Sequence, residues 1–327
     1  MRLISWCSLS LPYLRVLHAC HTRTLPLGHL CSVKQGTSPH YSSLQPTQAP
    51  KFFDDLSPFN ITHFASGRRN LEIVVGIIYD LEGVTYVGDP SPWASWTDAS
   101  TMLQLFYPKD SINPAQRPQG GSEFYAAPLD LRNAHNVTLV YSILFPSDFE
   151  WVKGGKLPGL YGGHTRCSGG DDAFECFSTR LMWRADGDGE LYLYAPKDRQ
   201  TASLCNAPPL SICDTTFGLS IARGSFQFAR GSWTHLRQTV VLNTPGVQDG
   251  GFLLEVDGNP VIDRADVLYR DAREYPAPED PDYPPTPSQP SQPEDGGGTF
   301  FGGHDEEFAT PKDQFVWFKD FAIYINS

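Results

Sequence analysis

Residues 156–194 read KLPGLYGGHTRCSGGDDAFECFSTRLMWRADGDGELYLY. The second half of this stretch decides the fold. Phe177–Arg184 and Glu190–Ala195 are two short apolar and aromatic runs around ADGDG, a five-residue loop of turn formers, and so predict a β-hairpin. Pairing Arg184 with Glu190 sets opposite charges across the ladder, a modestly favourable arrangement. That register puts Met182 opposite Tyr192 and Arg180 opposite Tyr194. Side chains alternate between faces along a strand. One face therefore carries Ser178, Arg180, Met182, Arg184, Glu190, Tyr192 and Tyr194, and the other Phe177, Thr179, Leu181, Trp183, Leu191, Leu193 and Ala195. The second set is the core face. A one-residue slip would bury the arginines, so the register is well specified. A polar face on an antiparallel sheet is commonly just the solvated side, so the hairpin alone leaves open both a wet surface and a site.

Working outward, further strands are predicted at Leu71–Tyr79, Leu103–Tyr107, Phe124–Ala126, Asn136–Phe145, Trp233–Asn243, Gly251–Val256 and Phe315–Ile325, with Val261-Ile262 resuming the sheet after the turn Asp257–Pro260. Leu71–Tyr79 is apolar on both faces and reads as buried. Residues 154–163, GGKLPGLYGG, read as a Gly-rich loop carrying Lys156. The 29 Gly and 28 Pro supply turns, and no helical period appears. The pattern predicts an all-β, two-sheet antiparallel sandwich. Residues 1–50 lack periodicity and read as leader plus flexible linker, leaving residues 51–327 as a single domain. Within it, eight prolines between Pro276 and Pro293 mark a disordered acidic insert at about 273–298.

The net charge of −12 argues against a nucleic-acid partner. Half of it falls between Asp271 and Thr299, where seven acids face one arginine, so the folded body is mildly acidic and a basic cleft is compatible with it. Cys167 and Cys176 are separated by eight residues, and Cys205 and Cys213 by seven, which suits two small disulfide-closed loops in an oxidising compartment. The competing zinc site lacks CxxC spacing. Sequons at Asn60 and Asn136 fit secretion and glycosylation. The leader is atypical: residues 3–14 are apolar, but Arg15 interrupts and no clean cleavage site follows. No run approaches the ~20 apolar residues of a membrane span.

The segments GGKLPGLYGG, CFSTRLMWR at 176–184 and YLY at 192–194 resemble polysaccharide lyase family 14. So do YPKDSINP with the following GGSEFYA, GSWTHLRQTVVLNTPG at 231–246, VDGNPVI at 256–262, and FFGGH with TPKDQFVWFKDF at 300–321. The resemblance spans roughly residues 90–325 and leaves the first 50 residues and the Pro-rich insert unmatched. It implies a concanavalin-like β-jelly roll and an alginate or glucuronan lyase. The family's constellation of a lysine, a serine, an arginine and two tyrosines falls on Lys156, Ser178, Arg180, Tyr192 and Tyr194, and the last four lie on the polar face of the hairpin.

The implied reaction is β-elimination on a uronic acid polymer. Neutralising the C6 carboxylate makes the C5 proton removable, a base takes it, and an acid protonates the departing 4-oxygen. Arg180 suits the carboxylate. Lys156 shares in neutralisation or, with a lowered pKa, acts as base. Tyr192 and Tyr194 take acid and base roles, unassigned between them, and Ser178 binds substrate. His235 and Arg237 share a strand face expected at the cleft, and His164 follows the lysine loop, so all three are candidate substrate contacts. No cofactor is required. DGDGE at 186–190 resembles part of a calcium loop without its full ligand spacing, and His304 with Asp305 and Glu306 is a weak metal candidate, so a structural calcium is left open. The expected partner is an acidic polysaccharide, bound by a secreted monomer with no nucleic-acid or membrane partner. A non-catalytic lectin-like jelly roll is the alternative on the same fold.

Overall fold

Strands and tight turns alternate along the chain in the computed structural model, which describes residues 47–81, 84–88, 99–113, 116–164, 167–213, 216–272, 293–303 and 305–327. These belong to one compact unit, Tyr41–Ser327. In chain order the strands are β1 (Thr47–Gln48), β2 (Ile61–Ser66), β3 (Leu71–Leu81), β4 (Val84–Gly88), β5 (Ser100–Tyr107), β6 (Ser122–Ala126), β7 (Asn136–Leu144), β8 (Gly154–Lys156) and β9 (Gly159–Gly163). They continue as β10 (Cys176–Arg184), β11 (Asp188–Tyr194), β12 (Leu210–Ile212), β13 (Leu219–Gln227), β14 (Trp233–Val241), β15 (Gly250–Val256), β16 (Asn259–Val267), β17 (Pro293–Phe301) and β18 (Gln314–Ile325).

Two sheets result. The back sheet runs β16-β15-β14-β7-β18-β5-β3-β4, with β1 added on β18, and the front sheet runs β12-β13-β11-β10-β8-β17-β6-β2, with β9 pairing both β10 and β17. Neighbours are antiparallel, as in β10 with β11 and β14 with β7. This is the expected two-sheet jelly roll.

The core lies between the sheets. The predicted core face of the hairpin, Phe177, Thr179, Leu181, Trp183, Leu191, Leu193 and Ala195, is entirely buried. It meets Val137, Leu139, Tyr141 and Ile143 of β7 and Leu236 and Val240 of β14. An aromatic block of Tyr107, Phe145, Phe149, Trp151, Trp183 and Phe301 closes one end, with ring centroids 4.6–6.4 Å apart. Large rings in edge-to-face contact contribute both apolar burial and geometric preference.

The structure departs from the sequence reading in several strands. The hairpin register is shifted by two residues: Arg180 pairs with Tyr192, Ser178 with Tyr194 and Trp183 with Gly189. The turn takes only Ala185–Gly187, where Asp186 and Gly187 adopt φ of 59° and 84°, so β11 begins two residues early. An even shift keeps every side chain on its face, and Arg184 still reaches Glu190 diagonally at 2.5 Å. The lysine loop is two short strands, β8 and β9, because its glycines serve close packing: a Cβ on Gly155 would lie 2.0 Å from the Trp183 ring, and one on Gly159 2.3 Å from the Thr179 carbonyl oxygen. β3 is next to the edge of its sheet, so Val75 is 56% exposed and not buried. Finally, Pro293–Gly298, expected inside the insert, belongs to β17, where β6 and β9 supply backbone partners on both sides. Tertiary pairing overrides a glycine-rich, acidic local sequence there. The rest of the insert and residues 1–46 lie outside the described residues, while Thr47–Gln48, at the end of the expected linker, pair with β18 as β1, because that strand offers them backbone partners.

Candidate active site

Lys156 stands at the end of β8, where its backbone pairs with Met182 on one side and Phe300 on the other. The chain then bends at Pro158 into β9. The Pro158 carbonyl points into the sandwich and accepts hydrogen bonds from the Tyr141 hydroxyl at 3.1 Å and the Gln238 amide at 3.3 Å. Gln238 in turn accepts from the Thr179 hydroxyl at 2.9 Å. Two buried groups of the back sheet thus satisfy the one carbonyl that the bend removes from the ladder, and Thr179 of the front sheet ties Gln238 in place, so the corner that carries the lysine is fixed.

The polar face of β10 and β11 is not open to solvent. Ser178, Arg180, Met182, Glu190, Tyr192 and Tyr194 are all buried under neighbouring loops. The Cys167–Cys176 disulfide closes one of those loops. From it the Cys167 carbonyl accepts from the Ser178 hydroxyl at 3.2 Å, and the Gly170 amide donates to the Tyr194 hydroxyl at 3.2 Å. From the other side the Gly218 amide donates to the Tyr192 hydroxyl at 3.1 Å. Between the loops a cavity of about 520 Å³ remains, with Lys156, Tyr192, Tyr194, Glu123, Arg184 and Arg223 in its wall.

Charge is concentrated here. The Lys156 ammonium lies 5.3 Å from the centroid of the Tyr192 ring, and the Arg184 guanidinium 5.8 Å from the same centroid. Loss of water pushes the Lys156 amine down to about 7; Arg180 and Arg184 push the same way, and Glu123 opposes them. Burial raises the Tyr192 phenol, and the neighbouring Tyr194 adds to the rise, so Tyr192 holds its proton. Arg180, 4% exposed, donates from Nη2 to Glu123 at 3.0 Å, while its Nε and Nη1 are buried without a hydrogen-bond partner among the described residues. Arg180 therefore sits behind the cavity wall and connects to it through Glu123; it does not line the cavity itself. Glu190, wholly buried, accepts from Arg184, Arg223 and Ser220 at 2.5, 2.7 and 2.5 Å.

The polysaccharide lyase 14 family model matches residues 96–278, more than half of the chain. The chain belongs to this family. It is a polysaccharide lyase, and the lectin-like alternative gives way. The lyase resembles the marine PL-14 alginate lyase from Aplysia kurodai at 29% identity and a TM-score of 0.57, over 76% of this chain and 89% of that one. It also shares its fold with the alginate lyase vAL-1 from Chlorella virus, at 22% identity and a TM-score of 0.52 over 81% and 99% of the two chains. A third fold relative is a mutant of alginate lyase Aly36B in complex with alginate trisaccharide, at 18% identity and a TM-score of 0.52 over 76% and 86%. No curated protein matches the chain.

The lyase brings Lys156, Ser178, Arg180, Tyr192 and Tyr194 to one place, with Ser178 and Arg180 in a deeper layer. It does not bring His235 or Arg237 there. Both point outward from β14 on the back sheet, because the inward positions of that strand are Leu236, Gln238 and Val240. The His235 ring bonds Ser142 at 2.7 Å and Arg237 pairs with Glu255 at 2.5 Å. His164 lies beside the disulfide loop, 3.6 Å from Asp171, and does not line the cavity. Both expected disulfides are present. The structural calcium left open at 186–190 finds no support in the donor set: Glu190 is held by two arginines and Ser220, and Asp188 accepts from Gln227 at 3.0 Å. A cluster of His164, Asp171 and Cys176 has its sulfur tied in the disulfide. His304 lies outside the described residues.

Glu123, Ser220 and Arg223 are site residues that the sequence reading missed. Glu123 is the one charged residue in the strand SEFYA, a signal that was readable. Ser220 and Arg223 lie on β13, LSIARGSFQ, whose alternation breaks at Ala222, where φ is 54°. That break hides the strand from a period-2 search. Among the described residues no helix is long and apolar enough to cross a membrane.

Proposed function

We propose that this lyase cleaves β-1,4-linked polyuronate, alginate or glucuronan, by β-elimination, with Lys156 as base and Tyr192 as acid. The carrying observation is a pair of titratable groups driven apart by one cavity: an amine lowered to about 7 facing a phenol that is raised. Groups separated in this way identify the base and the acid. The 29% identity to an alginate lyase supports the substrate class.

Neutral Lys156 takes the C5 proton. The electron pair left on C5 forms the C4–C5 double bond as the C4–O bond breaks, and the departing oxygen takes the Tyr192 proton. A proton then passes back from Lys156 to the Tyr192 phenolate, directly or through solvent. Charge builds on the C6 carboxylate during proton removal, and Arg180 supplies a compensating donor from Nη2 once Glu123 yields to the substrate. Ser178 and Tyr194 position this face through the disulfide loop. The two disulfides and the exposed sequon residue Asn60 support secretion with a glycan at Asn60, while Asn136 is half-buried and accepts from Asn326 at 2.8 Å.

Incubation with alginate and with polyglucuronate tests the reading. Unsaturated uronate ends, seen as ultraviolet absorbance, are expected on at least one polymer and are expected to vanish in Lys156→Ala. No absorbance on either polymer between neutral and alkaline pH refutes it.

A further inference from the structure

The trio of Arg184, Glu190 and Arg223 is larger than the fold requires. A buried carboxylate needs compensation, because leaving it unpaired is expensive, and Ser220 with a single arginine would meet that need. Glu190 has two arginines, so the group carries one excess positive charge inside the cavity wall. A guanidinium has five N–H donors. Glu190 and Ser220 engage Nη2 of Arg184 and Nε and Nη2 of Arg223, leaving donors on both that neither uses.

Location adds a second, independent observation. The Tyr192 ring has Lys156 at 5.3 Å and Arg184 at 5.8 Å from its centroid. The reacting lysine and Arg184 of the trio therefore share one aromatic ring, and the separation of ammonium and guanidinium cannot exceed those two distances combined. A polyuronate bears a carboxylate on every sugar. A chain lying in this cavity brings a neighbouring carboxylate in beside the one that reacts, and that second anion would be desolvated without a partner unless the wall provided one.

Resting on the polyuronate reading, we propose that Arg184 and Arg223, clamped on Glu190, form a second carboxylate-binding subsite for the uronate adjoining the one that is cleaved. The clamp pre-orients both forks, so little side-chain freedom is lost on binding. The subsite selects polymers charged at consecutive sugars over those charged at isolated ones.

Calorimetric titration of a tetrauronate into Lys156→Ala, which does not cleave it, alone and combined with Arg223→Ala or Arg223→Lys, tests this without turnover. Arg223→Ala is expected to weaken binding about tenfold or more, within the range of a lost charge-assisted pair, and to reduce the salt dependence of binding; Arg223→Lys is expected to recover part of the affinity. In turnover the loss in kcat/KM is expected to fall mainly on KM. Equal affinity with and without the Arg223→Ala change overturns the subsite, as does a turnover loss confined to kcat. If Arg223→Ala unfolds, Arg223→Met, which fills the space of the arginine stem and leaves Glu190 paired with Arg184, is expected to show the same weakening. Arg223-dependent binding with no unsaturated product from any polyuronate would refute the lyase mechanism and leave the subsite standing.

Discussion

Replacing Lys156 by Met should make the protein more stable while it destroys activity. The ammonium loses water and faces Arg180 and Arg184, so its pKa falls from 10.5 to about 7. The sign follows from linkage. The unfolded lysine binds its proton more tightly than the folded one, so folding is penalised fully below the folded pKa, and the penalty fades as pH rises toward the unfolded pKa. At about 1.4 kcal/mol per pKa unit, the penalty has an upper limit of about 5 kcal/mol at pH 6 and about 2 kcal/mol at pH 9. Methionine has a similar shape and no charge. Lys156→Met should therefore gain stability at both pH values, with a gain roughly 2–3 kcal/mol larger at pH 6 than at pH 9. Denaturant unfolding of the wild type and the variant at the two pH values measures this directly. A variant less stable than the wild type at pH 6, or a gain that does not depend on pH, would refute the claim that the lysine is held against its solvation preference.

Three further outcomes are expected. The wild-type kcat/KM should rise through about pH 7 as Lys156 deprotonates, and Glu123→Gln should move that limb to lower pH, because Glu123 is the group that favours the ammonium; a limb that stays or moves upward contradicts the assignment. Tyr192→Phe should lose about 10²–10⁴ in turnover, while its stability falls by only about 1–3 kcal/mol for the stranded Gly218 amide; steady-state kinetics and unfolding read the two separately. Removing the Cys167–Cys176 bridge by paired alanines should lower kcat about tenfold or more, because its loop holds Ser178 and Tyr194. Removing Cys205–Cys213 should instead appear chiefly as about 2–4 kcal/mol of lost stability.

The front of the molecule was legible where strict alternation carried information. Phe177 to Trp183 and Leu191 to Ala195 declared a core face, and the opposite face then named Ser178, Arg180, Tyr192 and Tyr194. Because period 2 is blind to even shifts, the true register and the three-residue turn were not legible, yet the faces survived. What alternation cannot show is what lies on top of a sheet. The polar face looked open in sequence, whereas loops from distant positions bury it. The glycines of 154–163 looked flexible, whereas Gly155 and Gly159 let Trp183 and the Thr179 backbone come close. His235 and Arg237 were assigned to the right strand face but the wrong sheet, because only topology says that β14 belongs to the back. Arg223 and Glu123 come from strands remote from the hairpin, and no local spacing ties them to it.

β17 and β18 both follow the Pro-rich segment in the chain, yet neither is peripheral. β18 lies between β7 and β5 inside the back sheet, and β17 lies beside β8, where Phe300 pairs with the backbone of Lys156 itself. The lysine strand is thus without one of its flanking partners until the chain beyond residue 292 has been made. During synthesis the protein is an unfinished sandwich with a gap in each sheet, and catalytic competence arrives only when two late strands fill both gaps. The same arrangement makes residues 293–327 a natural complementing fragment: a chain cut within the insert would hold its halves together by backbone ladders on both faces of the core.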